Sequence, residues 1–147
     1  MNIATFEANC TQPTCGHKFD APLLSNFSYG EYIYSSNDGM EIKYFCGLKS
    51  EAWKLIGEII SEADEKDKTL KIGPTIQRLI GLVADRKNPD SYFTQDIYCP
   101  KCRSKVFTID SDKKTGINDY LTLTFENFMN LPELKRKYLI ESLIMEQ

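Results

Sequence analysis

The chain has 147 residues, with 18 Lys and Arg against 21 Asp and Glu and a net charge of −3. That length supports one domain with a real core rather than two, and the acidic balance disfavours a polyanion as the principal partner. Apolar residues make up 41% and charged residues 27%, ordinary for a soluble globular protein, and no apolar run approaches the roughly 18 residues of a membrane span. The opening stretch MNIATFEANC has neither the basic segment nor the long apolar segment of a secretory signal, so the expected compartment is the cytosol. There, closely spaced cysteines favour metal binding over disulfides.

In chain order, residues 3–9 alternate as a short strand running into Cys10, and a second strand ends near Phe19. Two aromatic-rich alternating runs follow, joined by Asn37-Asp38-Gly39, which is a hairpin signal. On the second run Met40, Ile42, Tyr44 and Cys46 share one face, and Glu41, Lys43 and Phe45 the other. From Ser50, a helix-capping residue, the period changes. Ala52, Leu55, Ile56, Ile59, Ile60 and Ala63 form a helical stripe beside Trp53. The charged stretch SEADEKDK closes that helix. Gly73-Pro74 opens a second one, with Ile76, Leu79, Ile80 and Val83 as its apolar face. After RKNPDS and a further cysteine pair, a strand is expected through Val106, Phe107 and Ile109. DSDKKTGIND reads as a polar turn and YLTLTF as another strand. Asn130 and Pro132 introduce a last helix.

Five cysteines are present: Cys10, Cys15, Cys46, Cys99 and Cys102. Cys99-Pro-Lys-Cys102 has the spacing of a metal knuckle, in which backbone amides point at two thiolates that share a tetrahedral ion. Cys10 and Cys15 form a looser pair, followed by Gly16, where a knuckle turn favours positive φ. Four cysteines in two tight pairs predict one shared zinc ion. A redox Cys-x-x-Cys would open a helix, whereas SKVFTID after Cys102 reads as a strand. His17, the only histidine, is expected to face solvent or support a thiolate. Cys46 is expected to be a buried core thiol.

Cys15-Gly-His-x-Phe19 and Tyr98-Cys-Pro-Lys-Cys-x-x-Lys105 resemble the two halves of a zinc ribbon. The resemblance implies Zn2+ held by Cys10, Cys15, Cys99 and Cys102 between two β-hairpins. The first knuckle is wider than the pattern, and 83 residues separate Cys15 from Cys99. The expected architecture is therefore α+β in a single zinc-stabilised domain over residues 1–147. The ribbon halves fall near 3–20 and 95–110, and a hairpin and two helices are inserted near 26–90. A C-terminal strand and helix complete it.

No catalytic set is legible. There is no His-Glu-x-x-His, no deaminase pattern and no phosphate loop, and four thiolates would close a metal to water and weaken its Lewis acidity. Glu58, Glu62, Asp64, Glu65 and Asp67 cluster on the outer side of a helix and its tail, and form a candidate docking surface for a basic partner. Tyr32 and Tyr34, in a tyrosine-rich hairpin, are candidate interface residues. Small size, acidity and the stapled fold are similar in profile to bacterial immunity proteins, which implies a non-enzymatic cytoplasmic inhibitor of a cognate, basic toxin. The alternative is a nucleic-acid-associated zinc ribbon acting through Lys101, Arg103 and Lys105. Those cations also offset the −2 charge of a zinc–tetrathiolate centre.

Overall fold

The computed structural model describes residues 1–66, 71–105 and 107–146. Among these, the strands are β1 (Asn2–Cys10), β2 (Lys18–Pro22), β3 (Glu31–Ser36), β4 (Ile42–Cys46), β5 (Phe93–Thr94) and β6 (Phe107–Asp119). The helices are α1 (Glu51–Lys66), α2 (Ile72–Val83), α3 (Glu126–Met129) and α4 (Glu133–Met145). The strands form two antiparallel sheets, ordered β2-β1-β6 and β4-β3-β5. The fold is thus α+β, and no helix among the described residues is long and apolar enough to cross a membrane.

The hairpin forms where Asn37-Asp38-Gly39 predicts it. Gly39 takes φ +76°, a left-handed conformation that costs an L side chain energy. The Asp38 carboxylate accepts from the Ser36 hydroxyl at 2.6 Å and from the Met40 amide at 3.1 Å, which closes the turn. Register then pairs Ser35 with Ile42 and Glu31 with Cys46. The hairpin faces differ from the sequence reading. Phe45 and Tyr44 are both buried, Cys46 is half-buried and Met40 is exposed. Phe45 enters the core with α1 and α2, and the segment 121–123 hydrogen-bonds along the outer edge of β4 beside Tyr44. Alternation therefore cannot identify a solvent face.

Ser50 caps α1 as expected, its hydroxyl accepting from the Trp53 amide at 3.2 Å. The α1 stripe buries Ala52, Ile56 and Ile60 against Ile76, Leu79 and Ile80 of α2, and Ile140 of α4 joins the same core. Each such side chain contributes about 1.5–3 kcal/mol when fully buried. Trp53 stacks on Tyr32, centroids 5.7 Å apart, and lies 6.0 Å from Phe45. Tyr34 does not reach a partner surface. It is wholly buried, and its hydroxyl donates to the Gln77 carbonyl at 2.6 Å.

Two expectations after Cys102 are corrected. DSDKKTGIND is not a free turn. It belongs to β6, which pairs with β1 along its whole length, with register shifts between Thr5 and Glu7. The extra residues of β6 are Thr115, between the pairs Thr5–Gly116 and Phe6–Lys114, and Ser111, Asp112 and Lys113, between Phe6–Lys114 and Glu7–Asp110. β1 changes its buried parity at the same place, from Ile3 and Thr5 to Ala8 and Cys10. Conversely, YLTLTF is no strand of either sheet. It makes one parallel bridge to β4, with the Tyr44 amide donating to the Leu121 carbonyl and the Leu123 amide to the Tyr44 carbonyl. Val106, expected within the strand, lies outside the described residues.

Two close fits join the helical layer. Gly81 of α2 meets β5 so tightly that a Cβ there would lie 2.0 Å from the Phe93 carbonyl oxygen. Asp85, just past α2, reaches the start of α3. It accepts from the Glu126 amide at 2.7 Å, the Asn127 amide at 3.1 Å and the Thr124 hydroxyl at 2.8 Å. Burial opposes its ionisation, but these three donors outweigh it and hold the carboxyl below its ordinary range.

Gly81→Ala is expected to destabilise the chain by about 3 kcal/mol through backbone displacement, read by chemical denaturation at unchanged m-value. Asp85→Asn is expected to cost about 1–2 kcal/mol at neutral pH. Because the folded carboxyl titrates below the unfolded one, the aspartate's advantage is complete above about pH 4. It is lost as pH falls through the folded value. Denaturation of both proteins at stepped pH should show the gap narrowing on acidification; a gap that does not change with pH would refute the assignment.

Candidate metal centre

Each cysteine pair sits in a turn whose backbone is built the same way. In the first, the Cys10 amide donates to the His17 carbonyl at 2.9 Å. In the second, the Cys99 amide donates to the Ser104 carbonyl at 2.8 Å. In both, the first cysteine is tied to the residue two beyond the second cysteine. The residue directly after the second cysteine is left-handed in each case, Gly16 at φ +61° and Arg103 at φ +62°. Glycine takes that conformation freely, whereas arginine is strained there. The Arg103 amide donates to the Cys99 carbonyl at 2.8 Å, so the closed turn holds the strained residue in place.

β1 carries the first turn to the second. Its last pair with β6 is Cys10 opposite Phe107, five residues past Cys102. Four sulfurs converge there, with the Cys10, Cys15, Cys99 and Cys102 Sγ atoms all within 4.8 Å of one another. Cys10 and Cys102 are 3.5 Å apart, and Cys15 and Cys99 3.8 Å. All are free thiols. Zinc–sulfur bonds of ~2.3 Å in a tetrahedron put sulfurs about 3.8 Å apart, so this donor set fits a tetrahedral ion. The four cysteines could hold a metal together.

The thiols are unlike one another. Cys99 is wholly buried and Cys10 nearly so, while Cys102 is exposed. Burial opposes ionisation of Cys99, but the amides of Cys102 and Lys101 and the thiols of Cys15 and Cys102 bring it down to about 7. For Cys10, the Gln12 amide favours the thiolate. Burial and the crowding thiols of Cys102, Cys15 and Cys99 together prevail and push it up to about 12. Without a cation, the Cys99 thiolate is therefore favoured while Cys10 keeps its proton. A divalent ion bound by all four sulfurs would have to displace that proton, which makes its binding pH-dependent.

His17 is outside the sulfur cluster, and its ring lies against Phe19, centroids 6.3 Å apart. Phe19 in turn meets Phe107 edge-on at 5.7 Å, giving the centre an apolar flank. Cys46 is also outside the cluster. It lines a cleft with Glu31, Tyr44 and Lys49. The two halves of the centre are not equivalent beyond the turns themselves. The first is the tip of the β1/β2 hairpin. The second exits into β6, but the strand preceding it, β5, pairs with β3 in the other sheet.

The residues expected on a partner surface are scattered. Glu58, Glu62 and Glu65 are exposed on α1, Asp64 is half-buried, and Asp67 lies outside the described residues. Glu62 pairs with Lys137 of α4 at 3.6 Å. Tyr32 is half-buried in its stack on Trp53. Of the basic residues around the second turn, Lys105 pairs with Asp96 at 3.3 Å, and Lys101 and Arg103 are exposed. Comparison with known protein families, with curated proteins and with solved structures finds no match to this chain.

Cys99→Ser is expected to abolish metal uptake by the cluster and to unfold much of the β2-β1-β6 sheet, read by elemental analysis and circular dichroism. Cys46, expected as a buried core thiol, is half-buried, so Cys46→Ser is expected to retain the metal content of the parent and to cost about 1 kcal/mol or less. Loss of metal in the Cys46 variant would show that the ligand set differs.

Proposed function

We propose that the chain is a non-enzymatic protein-binding module whose four clustered cysteines hold a structural Zn2+. The observation that carries this reading is the all-thiol donor set. Thiolates favour zinc among common divalent ions. Four of them fill every tetrahedral position, leaving none for water or substrate. Such a centre ties two distant stretches of chain together and can supply about 10 kcal/mol or more of apparent folding free energy. The protein's work then falls to its surface. The net charge of −3 favours a basic partner through steering and complementarity. A small inhibitor that neutralises a basic toxin is the form this reading takes. Lys101 and Arg103 then serve to offset the charge of the centre.

The test is affinity capture from host extract with the zinc-loaded chain. Expected is one stoichiometric basic protein, released when a chelator removes the metal. Retention of nucleic acid instead, with affinity that falls steeply with salt and weakens in Lys101→Ala and Arg103→Ala, would replace this reading with a nucleic-acid role.

A further inference from the structure

Three clefts lie in a row across the molecule. The first, about 690 Å³, runs between the start of β1 and the loop 23–28. The second, about 510 Å³, is floored by Tyr44, Phe45 and Cys46 of β4. The third, about 500 Å³, lies between the first turn of α1 and α3. They are joined through shared walls. Met1 and Glu31 line both the first and the second, and Ser50 and Phe125 both the second and the third. Together they make one groove that touches both sheets and the helical layer, larger than the ~300–1,000 Å³ of a typical small-molecule pocket.

The walls are apolar and the rim is acidic. Phe27, which lines one end, is 96% exposed. Aromatic side chains held open to water are the anchors that protein interfaces use. Three carboxylates line the groove, Glu31, Glu51 and Glu126, against one lysine, Lys49. The Met1 ammonium, also on the wall, is already paired with Asp119 at 2.7 Å.

We infer that this groove is the docking site for an extended peptide segment of the partner, one with apolar side chains flanked by arginine or lysine. The inference rests on the binding-module reading above and names its site and ligand chemistry. Elongated shape and joined clefts suit an extended chain, and the three glutamates complement its cations. The docking face is thus distinct from the outer side of α1, where Glu58, Glu62 and Glu65 lie.

The test is selection of a displayed random 12-residue peptide library on the zinc-loaded chain, followed by affinity measurement with the selected peptides. Expected is enrichment of sequences that combine two or more Arg or Lys with aromatic or aliphatic residues. Their binding should weaken about fivefold or more in the Glu51→Gln, Glu126→Gln double variant and in Phe27→Ser. These positions are exposed, so the variants should keep their fold and zinc content, which circular dichroism and elemental analysis check. Peptides without basic excess, or binding unmoved by these variants, would overturn the groove. Binding that instead falls in a Glu58→Gln, Glu62→Gln variant would overturn the groove and leave the binding-module reading intact. No enrichment at all would also overturn the groove, and the capture experiment would then decide the broader reading alone.

Discussion

Four sulfurs within 4.8 Å of one another can be assembled here only if residues 10–15 and 99–102 are brought to one place. Everything between them must leave and return. The 83-residue excursion does so as a hairpin and two helices around an apolar core that Leu123, Phe128 and Ile140, from beyond β6, complete. Its ends are held by β1 and β6, whose pairing stops at Cys10 and Phe107, beside the sulfurs. Closing a loop of that length costs several kcal/mol of chain entropy. In the β2-β1-β6 sheet, β6 is largely exposed and offers little burial in return. A cation held by the four cysteines could compensate, because metal–thiolate bonds are strong and do not depend on apolar area.

The helical layer has the opposite economy. Its stability comes from interdigitated side chains, Ile56, Ile60, Leu79, Ile80 and Ile140 with Phe45 and Tyr34, and from two fits with no slack, Gly81 under Phe93 and Asp85 at the head of α3. The two regions meet along the groove, where neither fully covers the other. That is why apolar walls and open aromatic rings survive there, at residues drawn from both sheets and the helices.

Much of this was legible in the chain. Cysteine spacing identified which four sulfurs converge, since Cys-x-x-Cys makes a turn with local consequences that do not depend on the rest of the fold. Asn37-Asp38-Gly39, Ser50 and Gly73-Pro74 marked boundaries for the same reason: each acts through its own backbone. β6 was hidden because an exposed edge strand has no inner face to impose alternation, and its charged residues read as a turn. YLTLTF erred the other way. Its alternation is real, but only Leu123 is buried, and β4 accepts it through a single bridge rather than a ladder. Tyr34 looked available because composition cannot say which tyrosines of a crowded hairpin turn inward. The groove was invisible to sequence reading, as its walls come from segments far apart in the chain.

The pairing of β1 with β6 also sets an order of events during synthesis. Synthesis delivers residues 2–10 well before residues 107–119, so the first strand must wait, with one edge unpaired, until β6 has emerged. The hairpin and the helix pair can form meanwhile from neighbours already made. The turn at Cys10 therefore waits for its sulfur partners through the intervening synthesis, and the arrival of Cys99 and Cys102, followed by β6, is the event that closes the cluster.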